Sequence, residues 1–389
     1  MSLHASRSGA STYRTPGNAS LVLVSFPHQL VHALAAIYQL RMDSSTRKDS
    51  PITVFAWSYD PFDHVPDSRF SKVLRAQTAG FPHIRLKIPG LSVRLTALAA
   101  FAPIMVRAKA LRNLLRMHGS AYGDVYYSHD ASGDRTAQAV MQAYPDAARI
   151  CYGDPPGFIY PPLDASIGRV RTGLGVWLKS KFIYRGVKEL DRDRAIVTLD
   201  MNGSRSRTVS DQVFDELLPK LLDGTSKLVE HALDELLSAA SADTAPYLLL
   251  MSNFSESGLC IASSERDLYV EIIERHVPKG ATVILKPHSA SREMDAKSLG
   301  LRLRDHRILV STPVMQTMPI ELMPDLIDAC TTLSVSSSSA LLCRLMKPRL
   351  RHVLDDGLIS RHFKSQKQEY MRDSNACIRR AMDMLDHGR

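Results

Sequence analysis

Cysteine is scarce: five residues, Cys151, Cys260, Cys330, Cys343 and Cys377, are spread over 389 positions with no C-x-x-C pair. An odd, widely spaced set in apolar surroundings excludes a disulfide framework and a paired-cysteine zinc site. It predicts reduced, buried thiols and a cytoplasmic location. Aromatic residues make up only 7%, and the scattered Arg and Lys form no recognition-helix or RNP pattern, so nucleic acid is not expected as a partner. Long hydrophobic runs are missing too. The longest, Leu95 to Val106, is too short to span a bilayer, and the polar, Ser- and Gly-rich start from Met1 to Asn18 reads as a disordered segment without a signal peptide. No G-x-x-x-x-G-K-[ST], G-x-S-x-G or convincing G-x-G-x-x-G occurs, which argues against P-loop, α/β-hydrolase and simple dinucleotide-binding chemistry.

The chain is otherwise ordinary globular material with a basic bias. At 389 residues it exceeds the size at which a single hydrophobic core stops growing, so two domains are expected. Hydrophobic residues at 44% and charged residues at 23% supply a core for each. The 49 Lys and Arg against 40 Asp and Glu leave +9, which favours anionic partners such as nucleotides, phospholipid headgroups or acidic glycans without choosing among them.

The pattern is β/α throughout. Leu21–Phe26 has the length and apolarity of a buried parallel strand, and His28 to Arg41 follows with Leu30, Ala33, Leu34, Ile37 and Leu40 at helical period. Further strands are predicted at Ile52–Trp57, Ile84–Ile88, Asp124–Ser128, Arg149–Tyr152 and Ala195–Leu199, and helices at Arg69–Ala79, Leu91–Arg116 (interrupted at Pro103) and about Asp134–Ala143. Pro155–Asp164 and the basic, Gly-spaced Gly168–Gly186 read as loop or lid. A helix from Val213 to Ala239 runs into the small, polar Ser238–Thr244, which marks the domain boundary. The series then restarts with strands at Tyr247–Met251, Thr282–Leu285, Arg307–Val310 and Thr332–Val335, a helix at Glu265–His276, and a helical tail from His362 to His387. The predicted organisation is a polar segment at 1–18, a first β/α/β domain at 19–243, a second β/α/β domain at 244–358, and a C-terminal helix at 359–389 packing back across the interface. Parallel sheets place ligands at the carboxyl ends of their strands, and two such domains facing one another leave a central cleft there.

Polar residues at those strand ends are the candidates. Lys286-Pro287-His288 follows the strand Ala281–Leu285, and Ser336-Ser337-Ser338-Ser339 stands between a strand and the helix-like Ala340–Leu345, where unpaired helix N–H groups and hydroxyls suit a phosphate. Serine is also a common N-cap, but four in a row exceed what capping needs. His288 has the chemistry to protonate or hydrogen-bond a departing phosphate, or merely to cap the next helix. Lys286 is either a phosphate contact or a solvated strand-end lysine. Glu321 is either an acceptor for a ribose diol or an ordinary helix glutamate. Ser252 and Asn253, after the first strand of the second domain, are expected to face the cleft, and Gln29 is a weaker candidate for acceptor contact. Asp154 in Gly153-Asp154-Pro155-Pro156-Gly157 is placed to take a proton from a hydroxyl, unless it only stabilises a turn. Asp191-Arg192-Asp193 reads as solvated, and His129, Asp130 and Asp134 lack further metal ligands, so no metal is expected.

Together these motifs resemble the bacterial sialyltransferases and polysialyltransferases of the GT-B fold, which use CMP-activated nonulosonic sugars. The likeness rests on Phe26–Leu34, Asp154–Gly157, Leu249–Glu256, Lys286–His288, Pro319-Ile320-Glu321 and the serine cluster, from Leu21 to Leu345 in motif order. It implies a GT-B-like α/β architecture, with Asp154 as general base on the acceptor and His288 assisting the departure of CMP. The serine cluster, chiefly Ser337 and Ser338, would hold the phosphate, and Glu321 would contact the nucleotide. Two departures stand out. The family usually carries two adjacent acids before glycine where Asp154 stands alone, and its His-Pro is His288-Ser289 here. The expected function is inverting, metal-independent transfer of a sialic acid or relative from a CMP-sugar to a hydroxyl of a surface glycan, lipopolysaccharide or capsule. The partners would be a nucleotide-sugar donor and an anionic or neutral glycan acceptor, with any membrane contact peripheral, at the inner face of the bacterial inner membrane. The alternatives are a GT-B enzyme using CMP-Kdo or a UDP- or GDP-sugar, and a non-catalytic glycan-binding or assembly subunit.

Overall fold

The computed structural model describes residues 19–43, 50–57, 67–88, 122–128, 137, 140–141, 143–144, 146–153, 196–197, 207–240, 245–289, 291, 299–300, 302–335 and 350–387. Among them are two all-parallel sheets. The first contains β1 (Ala19–Val24), β2 (Ile52–Ala56), β3 (Ile84–Lys87), β4 (Tyr122–Ser128), β5 (Ala148–Gly153), β6 (Ile196–Val197) and β7 (Arg207–Thr208) in the order β3-β2-β1-β4-β5-β6-β7. The second contains β8 (Tyr247–Leu250), β9 (Thr282–Lys286), β10 (Arg307–Val310), β11 (Thr331–Ser334) and β12 (Leu350–His352) in the order β10-β9-β8-β11-β12. Each sheet therefore starts in its middle, winds outward three strands and then reverses. That is the doubly wound, Rossmann-like order, with a topological switch point between β1 and β4 in one sheet and between β8 and β11 in the other. The α/β class and the pair of Rossmann-like domains expected from sequence are both present.

The central strands are apolar on both faces because helices cover both sides. Every residue of β2 and of β9 is buried, as are Leu21 to Val24 of β1. Helix α1 (Pro27–Asp43) packs on the first sheet and is buried nearly all round, since α2 (Arg69–Ala79) and α3 (Asp211–Ala240) lie against it. Ser68 starts α2 by accepting from Ser71 N–H at 3.1 Å.

Helix α3 joins the two halves. Its buried stripe of Val213, Leu217, Leu221, Thr225, Val229, Leu233, Leu236 and Ala240 recurs at three- and four-residue steps, the period of one helix face. This face meets α1 and α2 on one side. On the other it meets β9, α5 (Pro313–Thr317), the 3-10 turn Ile320–Leu322 and α6 (Pro324–Ala329). One apolar cluster consequently includes Leu34 and Val54 of the first sheet's layer, Leu221 and Val229 of α3, and Ile284 and Met323 of the second. Glycines allow the tightest crossing. A Cβ at Gly224 would collide with the Ala76 carbonyl oxygen, and one at Gly80 would stand 2.5 Å from that of Lys220.

Beyond the second sheet's core lie α4 (Ala262–His276), α7 (Asp356–His362) and α8 (Ser365–His387). The predicted tail helix is present as α8, starting at Ser365, and Phe363-Lys364 separate it from α7, which the sequence reading lacks; Phe363 is buried against Phe254 with ring centroids 4.9 Å apart. The two short strands at Arg207–Thr208 and Leu350–His352 have no counterpart in the sequence reading; two or three residues are too few to show a period. Cys151, Cys260, Cys330 and Cys377 are buried, as expected. Among the described residues no helix is long and apolar enough to cross a membrane.

Candidate active site

The carboxyl ends of β8, β9 and β11 lie side by side because these strands are neighbours. Leu250 is in register with Lys286 on one side and with Ser334 on the other. Met251 N–H extends the ladder to the Lys286 carbonyl at 3.0 Å. Continued past the strand ends, this register puts Ser252 level with His288 and Asn253 level with Ser289, with Val335, the residue before the serine cluster, following β11 on the far side.

Lys286 is buried, and its Nζ donates to the Gln316 carbonyl oxygen at 3.2 Å. Burial lowers its pKa to about 8, opposed by the nearby negative charge of Glu321. Glu321 is equally buried, on the 3-10 turn. Loss of solvation raises its pKa, while a hydrogen bond from its own backbone and the Lys286 charge act against the rise. From sequence, Lys286 is open between a phosphate contact and a solvated residue. Its amine is turned inward instead, onto the Gln316 carbonyl.

His288 is half-buried, two residues past the end of β9. Burial, followed by the neighbouring Lys286 cation, depresses its pKa to about 4, so the imidazole is neutral near pH 7. His288 begins a turn closed by Ser291 N–H to the His288 carbonyl at 2.9 Å. Gln316 braces that turn: its Nε2 donates to the carbonyl oxygens of both His288 and Ser291, each at 2.9 Å. Lys286, His288, Glu321 and Gln316 thus form one connected cluster.

The loop after β8 is pinned as firmly. The Tyr269 hydroxyl accepts from Ser252 N–H and donates to the Ser252 carbonyl, both at 2.9 Å. The Glu265 carboxylate, buried on the same helix one turn earlier, accepts from Phe254 N–H and Ser255 N–H at 3.0 Å and from the Ser255 hydroxyl. Gly258, with φ +73, supplies the left-handed residue that lets the loop turn back towards α4. Among the described residues the buried Ser252 hydroxyl has no hydrogen-bond partner, and Asn253 is partly exposed beside it.

At the other switch point, Gln29 is occupied structurally. Its amide oxygen accepts from Ser25 N–H (2.8 Å), the Ser25 hydroxyl (3.0 Å) and Phe26 N–H (3.3 Å), and its amide nitrogen donates to Ser128 Oγ at 3.4 Å. It ties the ends of β1 and β4 together.

Of the residues expected at the site, the structure brings together Lys286, His288 and Glu321, and places Ser252 and Asn253 after the end of the neighbouring strand β8. Asp154 and Ser336, Ser337, Ser338 and Ser339 lie outside the described residues, as do Asp191, Asp193, His129, Asp130 and Asp134. Gln316, Glu265 and Tyr269 do not emerge from the sequence reading. The signal is present in each case: Gln316 is a long amide within the apolar Pro313-Val314-Met315 and Met318-Pro319-Ile320 run, and Glu265 and Tyr269 share one helix face with Leu268, Ile272 and Ile273.

No protein-family model matches the chain, and no curated protein matches its sequence. Among solved structures it is similar to the UDP-GlcNAc 2-epimerase from Neisseria meningitidis bound to UDP-GlcNAc, at 10% identity over 95% of this chain and 98% of that one, with a TM-score of 0.42. It is similar to the sialyltransferase from Photobacterium damsela at 10% identity, over 92% and 79% of the two chains, with a TM-score of 0.41. Its similarity to the E. coli heptosyltransferase WaaC with ADP-2-deoxy-2-fluoro heptose is 13% identity over 83% and 84%, with a TM-score of 0.32.

Proposed function

We propose that the chain is an inverting GT-B glycosyltransferase that moves a sialic acid or related nonulosonate from a CMP-sugar to a hydroxyl of a bacterial surface glycan. The observation that carries this reading is the cluster of His288, Lys286 and Glu321 at the carboxyl end of β9, next to the end of β8 where the buried Ser252 hydroxyl has no partner among the described residues, on the edge of the sheet where open α/β sheets take ligands. The motif resemblance supplies the donor class.

In this reading the nucleotide lies across the ends of β8, β9 and β11. Ser252 and Asn253 offer hydrogen bonds to it, Glu321 accepts from the nucleoside, and Ser336 to Ser339 hold the phosphate. His288 hydrogen-bonds the phosphate oxygen that leaves, and the buried Lys286 adds positive potential without touching it. Asp154 takes the proton from the acceptor hydroxyl. That oxygen forms its bond to the anomeric carbon from the face opposite the phosphate, and the bond from the anomeric carbon to the phosphate oxygen breaks to release CMP. The negative charge that develops on CMP is met by preorganised donors, and no metal is assigned a part.

The test is a thermal-shift panel of CMP, UMP, GMP and their sugar conjugates, with and without Mg²⁺, followed by nucleotide release from the same donors. Selective stabilisation by CMP and release of CMP on incubation with an acceptor are expected. Stabilisation by UMP or GMP alone replaces the donor. Transfer unaffected by both His288→Ala and Asp154→Ala removes the assigned roles.

A further inference from the structure

Gln316 joins the two basic residues of the cluster, through the Lys286 amine and the His288 backbone. Its carbonyl oxygen receives the Lys286 amine, and its side-chain amide holds the carbonyls at both ends of the His288–Ser291 turn. Its own position is fixed from outside the site. Met315, the preceding residue, is fully buried in the apolar cluster shared by both halves, and α5 packs on α2 of the first half and on α3. The helix is further secured by Thr312, whose hydroxyl accepts from Met315 N–H, and by the Thr317 hydroxyl on the Pro313 carbonyl at 3.1 Å. A turn held by two hydrogen bonds to a side chain on a rigid support has little freedom to move the backbone from which the imidazole projects.

Building on the proposed transferase reading, we infer that Gln316 is the positioning residue of the reaction: it sets where His288 stands against the leaving phosphate and links that placement to the packing between the two halves of the chain. Gln316 does not touch the donor. Its contribution reaches the chemistry through the geometry of the His288 turn, where a misplacement of about 1 Å can cost about 100-fold in rate.

Gln316→Leu removes both side-chain donors at similar volume, and Gln316→Glu presents an oxygen to two carbonyl oxygens. In each variant kcat for transfer is expected to fall between about 10-fold and 100-fold, with the dissociation constant for CMP within about threefold of the parent. A second readout needs no turnover. The His288 imidazole, followed by NMR and assigned by its loss in His288→Ala, is expected to titrate at higher pH in Gln316→Leu, because a released turn lets water reach the ring; in Gln316→Glu the new carboxylate adds to that rise. Thr317→Val loosens the same helix without touching the turn and is expected to lower the melting temperature while leaving kcat and the His288 titration as in the parent. Unchanged kcat and titration in the Gln316 variants overturn the inference, and so do equal effects from Thr317→Val. If the parent protein binds no nucleotide and transfers no sugar, the functional reading falls, while the imidazole titration still decides whether Gln316 places His288.

Discussion

The hydroxyl of Tyr269 closes a two-way bridge onto one residue, accepting from the N–H of Ser252 and donating to its C=O, both at 2.9 Å. This pairing fixes the first residue of the candidate nucleotide-binding loop from the helix that follows it. Removing the hydroxyl in Tyr269→Phe leaves a backbone donor and acceptor buried without a partner, at a cost of about 1–3 kcal/mol. Urea denaturation should show the loss, and CMP affinity should fall with it because the Ser252 loop is no longer held.

Glu265 governs the next two residues of that loop. Glu265→Gln replaces one of the two acceptor oxygens by a donor, so the N–H groups of Phe254 and Ser255 cannot both remain bonded. Amide hydrogen exchange at Phe254 and Ser255 should speed up by at least about 10-fold, while exchange in β8 stays slow.

The buried amine of Lys286 makes a pH signature. Its pKa is about 8 in the folded chain against 10.5 for an unperturbed lysine, so between those values the unfolded chain binds a proton that the folded chain has released. Stability contributed by this group therefore rises as pH increases from about 8 to 10.5, and the cost of burying the cation is fully present below about 8. The whole swing amounts to about 3 kcal/mol. Lys286→Met should flatten that part of the pH profile of urea unfolding; a profile identical to the parent's would refute the assignment.

Phosphate binding should be visible at His288. With its pKa held near 4, the free protein carries a neutral imidazole at pH 7. An anion placed against the ring stabilises the protonated form, so saturation with CMP should raise the titration midpoint by about one pH unit or more, read by NMR. Cytidine, which lacks the phosphate, should leave it in place.

The crossing of α2 and α3 offers a test of packing alone. Gly224→Ala forces a methyl group against the Ala76 carbonyl, backbone that cannot swing aside, and should destabilise the protein by about 1–3 kcal/mol without altering nucleotide affinity relative to the folded fraction. Differential scanning calorimetry together with CMP titration separates the two effects.

Much of the architecture was legible because the β/α alternation is strongly patterned. The limits of α2 and β10 agree residue for residue with the sequence expectation, and most other described strands lie within two residues of it. The strands are recognisable because burial on both faces requires unbroken apolar runs such as Thr282–Leu285, while α3 declares itself by its stripe. For the candidate site, what could be read in advance was the placing of Lys286, His288, Ser252 and Asn253 at neighbouring strand ends, since the strand pattern alone predicts where such residues lie. What sequence could not supply was direction. That the Lys286 amine turns inward to a carbonyl, that Gln29 reaches across to Ser128, and that Gln316 braces the His288 turn all depend on groups meeting across 28 to 99 positions of chain.

The apolar stripe of α3 has one more consequence. Because a single helix is wedged between both sheets' layers, with Leu221 and Val229 in the same cluster as Val54 and Ile284, the chain is not two beads joined by a string. A protease cut just beyond Ala240 would sever the polypeptide yet leave both fragments clinging through that greasy seam. The nicked protein should still melt as one body.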